Sequence, residues 1–187
     1  MNDLTLDPHT MLAIWQQHAH AEFVLKDADA ALATMAENPY VFMISSGTAR
    51  VGRAAVREFY ADHFLPQIPP DLEITSLSQT FGDDRLVEEM VMRFTHSIEM
   101  DWILPGLRPT GRTAEFVLAG VIQFEGGKVA HEHLYWDQAT LLSQWASSIT
   151  RWQRAGLTAR SNFLDFADPR ALRMSAMVMS RWLVRAI

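Results

Sequence analysis

The sequence predicts one soluble α+β domain, in which helices come first and an antiparallel meander follows. Apolar residues recur at helical spacing in the first third of the chain and alternate at period two from Leu72 onward. Turns rich in glycine and aspartate separate the alternating segments, as at Gly82-Asp83-Asp84 and Gly126-Gly127. The 187 residues are 49% hydrophobic and 20% charged, which suffices for one sizeable core.

The first helix is predicted from Asp7-Pro8 to about Leu25. Asp7 suits the N-cap, and proline is favoured at the first helical position because its missing N–H has no partner there anyway. One predicted apolar stripe of this helix consists of Leu12, Trp15, Ala19 and Phe23.

Two shorter helices and one short strand complete the first third of the chain. Asp27 begins the second helix, which ends at Asn38-Pro39 because the residue before a proline avoids helical geometry. A strand is predicted over residues 40–44. The third helix begins at Gly52 and ends at the prolines that start with Pro66.

Period-two alternation predicts the rest of the sheet. The glycines and prolines of residues 104–111 interrupt it and indicate a stiff loop. The predicted strands are 72–81, 85–100, 113–125 and 128–136, followed by a helix from about Ala139.

The end of the chain is predicted to be a separate appendage. Residues 155–168 resemble a connector, and Asp168-Pro169 opens a final helix. This helix has an apolar stripe, which indicates docking on the body or on a second subunit. Its arginines leave a membrane-surface helix as an alternative. We therefore predict a domain over residues 1–154 and a helical extension over residues 155–187.

Composition excludes several classes of function. The chain has no cysteine, which excludes disulfides, thiolate catalysis and cysteine metal sites. The net charge of -6 argues against a nucleic-acid partner. No apolar run has the length of a membrane span, and no signal peptide is recognisable, so we expect no membrane partner and a cytoplasmic location.

The hairpin at Gly126-Gly127 predicts where a pocket lies. A two-residue loop pairs Glu125 with Lys128, and regular pairing outward then sets Gly120 opposite His133. An apolar face with a few convergent polar groups is typical of a small-molecule site. The residues that this register places on one face are Phe116, Leu118, Gly120, His131, His133, Tyr135 and Asp137.

These side chains predict acid/base chemistry. Histidine titrates near neutral pH, so His131 or His133 suits proton transfer, and Asp137 suits a base or an orienting group. His96 is the polar exception in the apolar stripe of the long strand and joins them as a catalytic candidate. The predicted substrate-contacting residues are Trp15, Tyr60, Met92, Phe94, Phe116, Leu118, Gly120 and Tyr135.

Several alternatives stay open at this point. Histidines on an apolar face are often satisfied core residues. Asp137 suits the N-cap of the following helix. His131-x-His133 also has metal-ligand spacing, with His96 or Asp137 as a third ligand, although we predict neither metal nor cofactor. Arg108 and Arg112 suit either an anionic substrate group or a solvated loop.

The closing segment resembles the SnoaL-like branch of the nuclear transport factor two superfamily. The similar residues are Gly126-Gly127-Lys128-Val129, the strand 131–138, Leu141-Leu142 and Pro109-Thr110-Gly111-Arg112. The resemblance covers roughly residues 8–150 and implies a curved sheet forming a cone, closed by N-terminal helices, and a homodimer through the outer face. The relatives that it implies are polyketide cyclases, epoxide hydrolases, ketosteroid isomerase-like enzymes, dehydratases and non-enzymatic binders, with Asp137 as a candidate acid/base. We therefore predict a cofactor-independent isomerase, cyclase or dehydratase that acts on a small apolar carbonyl compound; a non-catalytic ligand-binding or dimeric interaction module is the alternative.

Overall fold

Four α-helices and six strands make up residues 6–145, the part of the chain that the computed structural model describes. The helices are α1 (Pro8–His20), α2 (Ala28–Ala33), α3 (Arg53–Glu58) and α4 (Gln138–Gln144). A π-helical turn, Ala21–Leu25, continues α1, and another, Phe59–Phe64, continues α3. The strands are β1 (Met35–Met43), β2 (Thr48–Val51), β3 (Glu73–Phe81), β4 (Arg85–Thr95), β5 (Thr113–Glu125) and β6 (Lys128–Trp136).

Aspartate caps fix the starts of the first two helices, as predicted. The Asp7 carboxylate accepts hydrogen bonds from the backbone N–H groups of His9 and Thr10 at 3.0 and 3.2 Å. Asp27 accepts in the same way from Asp29 and Ala30 at 2.9 and 3.1 Å. These bonds satisfy N–H groups that lack a partner within the helix.

The six strands form one mixed, open sheet in the order β2-β1-β6-β5-β4-β3. Neighbouring strands are antiparallel except for β1 and β6, which run parallel. This confirms the predicted α+β class, and β5 and β6 have the predicted bounds. Strands β1 and β6 can run parallel because no tight turn joins them, since β2 to β5 and α3 lie between them in the chain.

A bulge in β6 makes the predicted register wrong beyond Val129. Val129 pairs with Phe124, but His131 pairs with Gln123, so Ala130 is one extra residue on its strand. An inserted residue inverts the alternation of every side chain after it. Gly120 therefore lies opposite Leu134 rather than His133, and Glu132 lies opposite Ile122.

The helices cover one face of the sheet, here called the inner face. Leu86, Phe94 and Ile122 are buried on it, and α1 contacts both β4 and β6. The other side of the sheet is called the outer face, where Val117 and Tyr135 are exposed. Within the described residues, no helix combines the length and the apolar character needed to span a bilayer.

Strand β4 is shorter than predicted and ends at Thr95 instead of Met100. The loop after it closes on itself, because His96 N–H donates to the Arg112 carbonyl at 2.9 Å and Gly111 N–H donates to the His96 carbonyl at 3.0 Å. The predicted connector and final helix lie outside the described residues, and the domain boundary at residue 154 stays a prediction.

Candidate active site

A pocket with apolar walls lies on the inner face of the sheet. Its non-atom space, counted together with the open solvent at its mouth, is about 520 Å³. Its apolar and aromatic wall residues are Trp15, Phe23, Val41, Phe59, Phe64, Met90, Met92, Trp102, Leu118 and Leu134.

Four polar side chains meet at this pocket, and we call His18, Glu22, Tyr60 and Glu132 the polar cluster. All four are buried, and all but His18 line the pocket directly. His18 Nε2 lies 3.2 Å from Oε1 of Glu22, 3.2 Å from Oε1 of Glu132 and 3.2 Å from the Tyr60 hydroxyl. The Tyr60 hydroxyl also donates to Glu132 Oε1 at 3.0 Å.

Local helix and strand geometry brings the cluster together. His18 and Glu22 are four residues apart, so they lie on one face of α1 and its π-helical continuation. Tyr60 lies in the π-helical turn after α3, and such turns are frequent at functional sites. The bulge at Ala130 turns Glu132 to the inner face, opposite Ile122 and beside Val41.

Thr34 fixes the proton on one nitrogen of His18. The Thr34 hydroxyl has a single proton, which it donates to the Ala31 carbonyl at 2.6 Å. Its oxygen can then only accept from His18 Nδ1, which lies 2.6 Å away. His18 therefore carries a proton on Nδ1 and directs Nε2 at the two carboxylates and Tyr60.

Burial and charge oppose each other in this cluster. Burial alone lowers the pKa of His18, but the attraction of Glu22 and Glu132 outweighs it and raises the pKa to about 10. Burial raises the pKa of Glu22, and it raises the pKa of the Tyr60 hydroxyl well above its ordinary value. Without a bound cation, the cluster thus holds a protonated His18 beside the two carboxyl groups.

The arrangement supports two kinds of chemistry. A carboxylate at the edge of an apolar pocket can exchange a proton with a bound molecule, while Tyr60 donates to a developing negative charge. Nε2 of His18 and one carboxylate oxygen each of Glu22 and Glu132 also lie within 4.8 Å of one another, close enough to share a metal ion.

A third buried carboxylate, that of Glu88, supports the cluster through Trp15. The Trp15 ring stacks on His18, with centroids 5.6 Å apart, and its Nε1 donates to Glu88 Oε2 at 2.6 Å. Ser76 and Gln79 donate to the other oxygen of Glu88 at 2.6 and 2.9 Å. Glu88 is therefore fully engaged and fixes a wall of the pocket.

The histidines predicted to face the pocket lie on the outer face instead. His131 stacks on Tyr40 with ring centroids 4.3 Å apart, and His133 Nε2 bonds the Tyr40 hydroxyl at 3.0 Å. Tyr135 is on the same face and is 41% exposed. The reason is the bulge at Ala130, which inverts the alternation that the prediction assumed.

The other two catalytic candidates have structural partners. The Asp137 carboxylate caps α4 through Ala139 N–H at 2.9 Å, and its bond with Thr140 lowers its pKa, so the alternative role as an N-cap is confirmed. His96 is buried beneath Trp145, with ring centroids 4.2 Å apart, and its Nδ1 lies 3.2 Å from the Thr110 hydroxyl.

The predicted substrate-contacting residues fall into two groups. Trp15, Tyr60, Met92 and Leu118 line the pocket. Phe94 and Phe116 pack against each other in the core, with ring centroids 6.1 Å apart. A Cβ on Gly120 would lie 3.1 Å from Ile122, so this glycine permits close packing rather than contact with the pocket. Arg108 and Arg112 are exposed, as a solvated loop requires.

The sequence prediction missed His18, Glu22 and Glu132. The buried stripe of α1 consists of Met11, Trp15 and His18, and Glu22 continues it. This stripe is rotated by about one residue from the predicted one. His18 and Glu22 have the helical spacing that continues the apolar positions Met11 and Trp15, and this spacing could have predicted that both are buried. For Glu132, the adjacent apolar pair Val129-Ala130 is the trace of the bulge.

Neutral His131 is expected to make the protein acid-labile. Burial, with help from His133 and Arg85, lowers the pKa of His131 to about 3, whereas the unfolded chain binds this proton near pH 6.5. The stabilisation is therefore complete above pH 6.5 and is lost as the pH falls from 6.5 towards 3. His131→Phe keeps an aromatic ring on Tyr40 but cannot bind a proton. We therefore expect the free energy of unfolding to fall by about 1–3 kcal/mol less on acidification in this variant than in the parent protein.

Urea unfolding from pH 7 to pH 4 measures this effect. His9→Phe is the matched control, because His9 is exposed. In this control the free energy of unfolding should depend on pH as it does in the parent protein. If the free energy of unfolding of His131→Phe depended on pH as in the parent protein, His131 would be protonated in the folded protein.

Comparisons with known proteins agree with this fold. The sequence matches the profile of the SnoaL-like domain family over residues 15–132. A candidate SnoaL-like polyketide cyclase from Jannaschia sp. superposes with a TM-score of 0.59 at 17% identity, covering 74% of this chain and 90% of its own. An NTF2-like protein of unknown function from Burkholderia pseudomallei gives 0.56 at 17% identity, with 72% and 96% covered.

A third solved structure is that of a protein with a ketosteroid isomerase-like fold from Catenulispora acidiphila, in complex with trimethylamine. It superposes with a TM-score of 0.54 at 15% identity, covering 71% of this chain and 92% of its own. At these identities the solved structures establish the shared fold alone. Among curated proteins, none matches the sequence.

Proposed function

Because the chain belongs to the SnoaL-like domain family, we propose that its pocket binds a small, largely apolar carbonyl compound and transforms it by proton transfer. The reaction class is that of an isomerase, cyclase or dehydratase. One observation carries the proposal: the hydrogen-bonded polar cluster lies at a pocket that is otherwise apolar and aromatic. His131, His133, Asp137 and His96 lie outside this pocket, so we assign the chemistry to the cluster.

Glu132 is the proposed base. Its carboxylate lines the pocket, where it would take a proton from the carbon next to the carbonyl group. The electron pair of that C–H bond moves towards the carbonyl oxygen, and the Tyr60 hydroxyl donates to the enolate that forms. Return of the proton to another carbon completes an isomerisation, whereas loss of an adjacent hydroxyl group with that proton, as water, completes a dehydration.

The walls of the pocket favour a planar, uncharged substrate. Rings of Trp15, Phe59, Phe64 and Trp102 border it, and none of the lysines and arginines in the described part of the chain lines it. Flat apolar molecules gain most from such rings, and an anionic substrate would meet the carboxylates of Glu22 and Glu132, because the protonated His18 does not line the pocket. Cyclic ketones and lactones are therefore the first compounds to examine.

A pair of neighbouring variants tests whether the ligand enters this pocket. Leu118 lines the pocket, whereas Val117 lies on the outer face and is 51% exposed. We expect Leu118→Phe to fill the space and weaken binding of a cyclic ketone by about tenfold or more. Val117→Phe adds the same ring on the other face and should leave the affinity unchanged.

Tryptophan fluorescence measures the binding, and deuterium exchange from solvent into the bound ketone measures the chemistry. Exchange faster than in buffer supports the enzyme. Binding without exchange across the panel would leave a non-catalytic binding module. Equal loss in both variants, or none in Leu118→Phe, would contradict the position of the site.

We also propose that a second copy of the chain covers the outer face, as the family resemblance implies. Val117 and Tyr135 expose apolar surface there, and Val121 and Phe42 on the same face are partly exposed. Exposed apolar patches on a sheet favour association. Sedimentation of the purified chain decides between a dimer and a monomer.

A further inference from the structure

We propose that His18, Glu22 and Glu132 bind one divalent transition-metal ion at the pocket. This inference rests on the proposed function in one respect, because it places the ion at the same pocket. It does not depend on the proton-transfer reaction proposed there. His18 Nε2 is 3.2 Å from one oxygen of each glutamate, and the three donor atoms lie within 4.8 Å of one another. Ligands about 2.1 Å from a tetrahedral ion stand about 3.4 Å apart, so little movement is needed.

Thr34 provides an independent observation in favour of metal binding. A histidine ligand needs one nitrogen free to bind the ion, and it usually donates its other ring N–H to a protein acceptor. The Thr34 oxygen accepts from His18 Nδ1 at 2.6 Å, while its own proton goes to the Ala31 carbonyl. Nε2 is consequently the only ring nitrogen available to an ion, and it is directed at the two carboxylates.

Charge balance also favours a divalent cation. The cluster contains two buried carboxyl groups, and among residues 6–145 no lysine or arginine lines the pocket, so a protonated His18 offsets only one of the two negative charges. Two ionised carboxylates, one neutral imidazole and one divalent ion have a net charge of zero. Buried charges are tolerated when they are paired or coordinate a metal.

The donor set selects the kind of ion. One imidazole nitrogen and two carboxylate oxygens suit zinc, iron(II) or manganese(II), while magnesium and calcium prefer oxygen ligands alone. Three protein ligands leave at least one coordination position open, as in catalytic zinc sites. Because Glu22 and Glu132 line the pocket, that position would face a bound carbonyl group, which the ion would polarise.

This site differs from the metal site considered in the sequence. The spacing His131-x-His133 suggested an ion on β6, but both imidazoles face away from the pocket and pack with Tyr40. The new site also replaces the expectation that no metal is bound. His63 and Asp101, 2.8 Å apart, form a partly exposed pair with only two candidate ligands and therefore serve as the control.

The test uses the untagged full chain after treatment with a chelator. Calorimetric titration with Zn²⁺ and Mn²⁺, and the visible absorption of bound Co²⁺, report binding without reference to activity. We expect one ion per chain and at least a 100-fold loss of affinity in Glu132→Gln and in Glu22→Gln, which keep the side-chain volume. Thr34→Val should lower the affinity about 10–100-fold.

The control and the failures are distinguishable. His63→Ala should bind like the parent protein, and circular dichroism identifies any variant that fails to fold. Absence of stoichiometric binding to the parent, or binding that survives in both glutamine variants, overturns the metal site. If the chelated protein exchanges deuterium into a ketone while binding no metal, the proposed function stands and this inference alone fails.

Discussion

Replacing His18 by alanine is expected to lower the free energy of unfolding by about 3–5 kcal/mol. The imidazole is fully buried between two carboxylates, Tyr60 and Thr34. Its removal leaves Glu22 and Glu132 together in a low-dielectric site without the imidazole between them, with only the Tyr60 hydroxyl donating to Glu132, and it leaves a cavity beneath Trp15. Urea unfolding at pH 7, after the protein has been treated with a chelator to remove bound metal, measures the change.

His20→Ala is the control for this experiment. His20 lies two residues further along α1 and is exposed, so its loss should change the free energy of unfolding by no more than about 0.5 kcal/mol. Equal effects of the two substitutions would mean that helix α1 does not present His18 to the core.

Replacing Glu132 by glutamine is expected to lower kcat by about 10²–10⁴-fold, the usual contribution of a general base. Glutamine keeps the volume and can still accept a hydrogen bond from Tyr60, but it cannot take a proton from the substrate. KM should change little, because the apolar walls provide most of the binding and they are unaltered.

Steady-state kinetics on the best compound of the ketone and lactone panel measure both constants. The same substitution leaves the pocket shape intact, so tryptophan fluorescence should report nearly the parent affinity. A variant with the parent kcat would remove Glu132 from the chemistry, and a large rise in KM alone would give it a binding role.

Local signals in the sequence predicted most of the fold. Local backbone geometry explains the effect of aspartate and proline at the start of α1 and of the two glycines between β5 and β6. These effects can therefore be predicted without the rest of the chain. The bounds of β5 and β6 agree with the prediction for this reason. The parallel pairing of β1 with β6 depends on contacts between distant segments, which alternation does not encode.

The candidate site depended on two features that act over longer distances. One extra residue, Ala130, reverses which side chains of β6 face the core, and its small apolar side chain gives no turn signal. Polar residues are normally expected on the surface, so His18 and Glu22 were not expected in the buried stripe of α1. There, His18 pairs with Glu22 and also with Glu132, which lies 114 positions away from His18 in the chain.

The central claim is that the polar cluster on the inner face, and not the histidine pair on the outer face, is the functional site. Comparing Glu132→Gln with His133→Gln in one deuterium-exchange assay tests it most directly, because these near neighbours on β6 point to opposite faces. We predict that exchange is lost in Glu132→Gln and stays at the parent rate in His133→Gln. Exchange lost in His133→Gln and retained in Glu132→Gln would contradict this account.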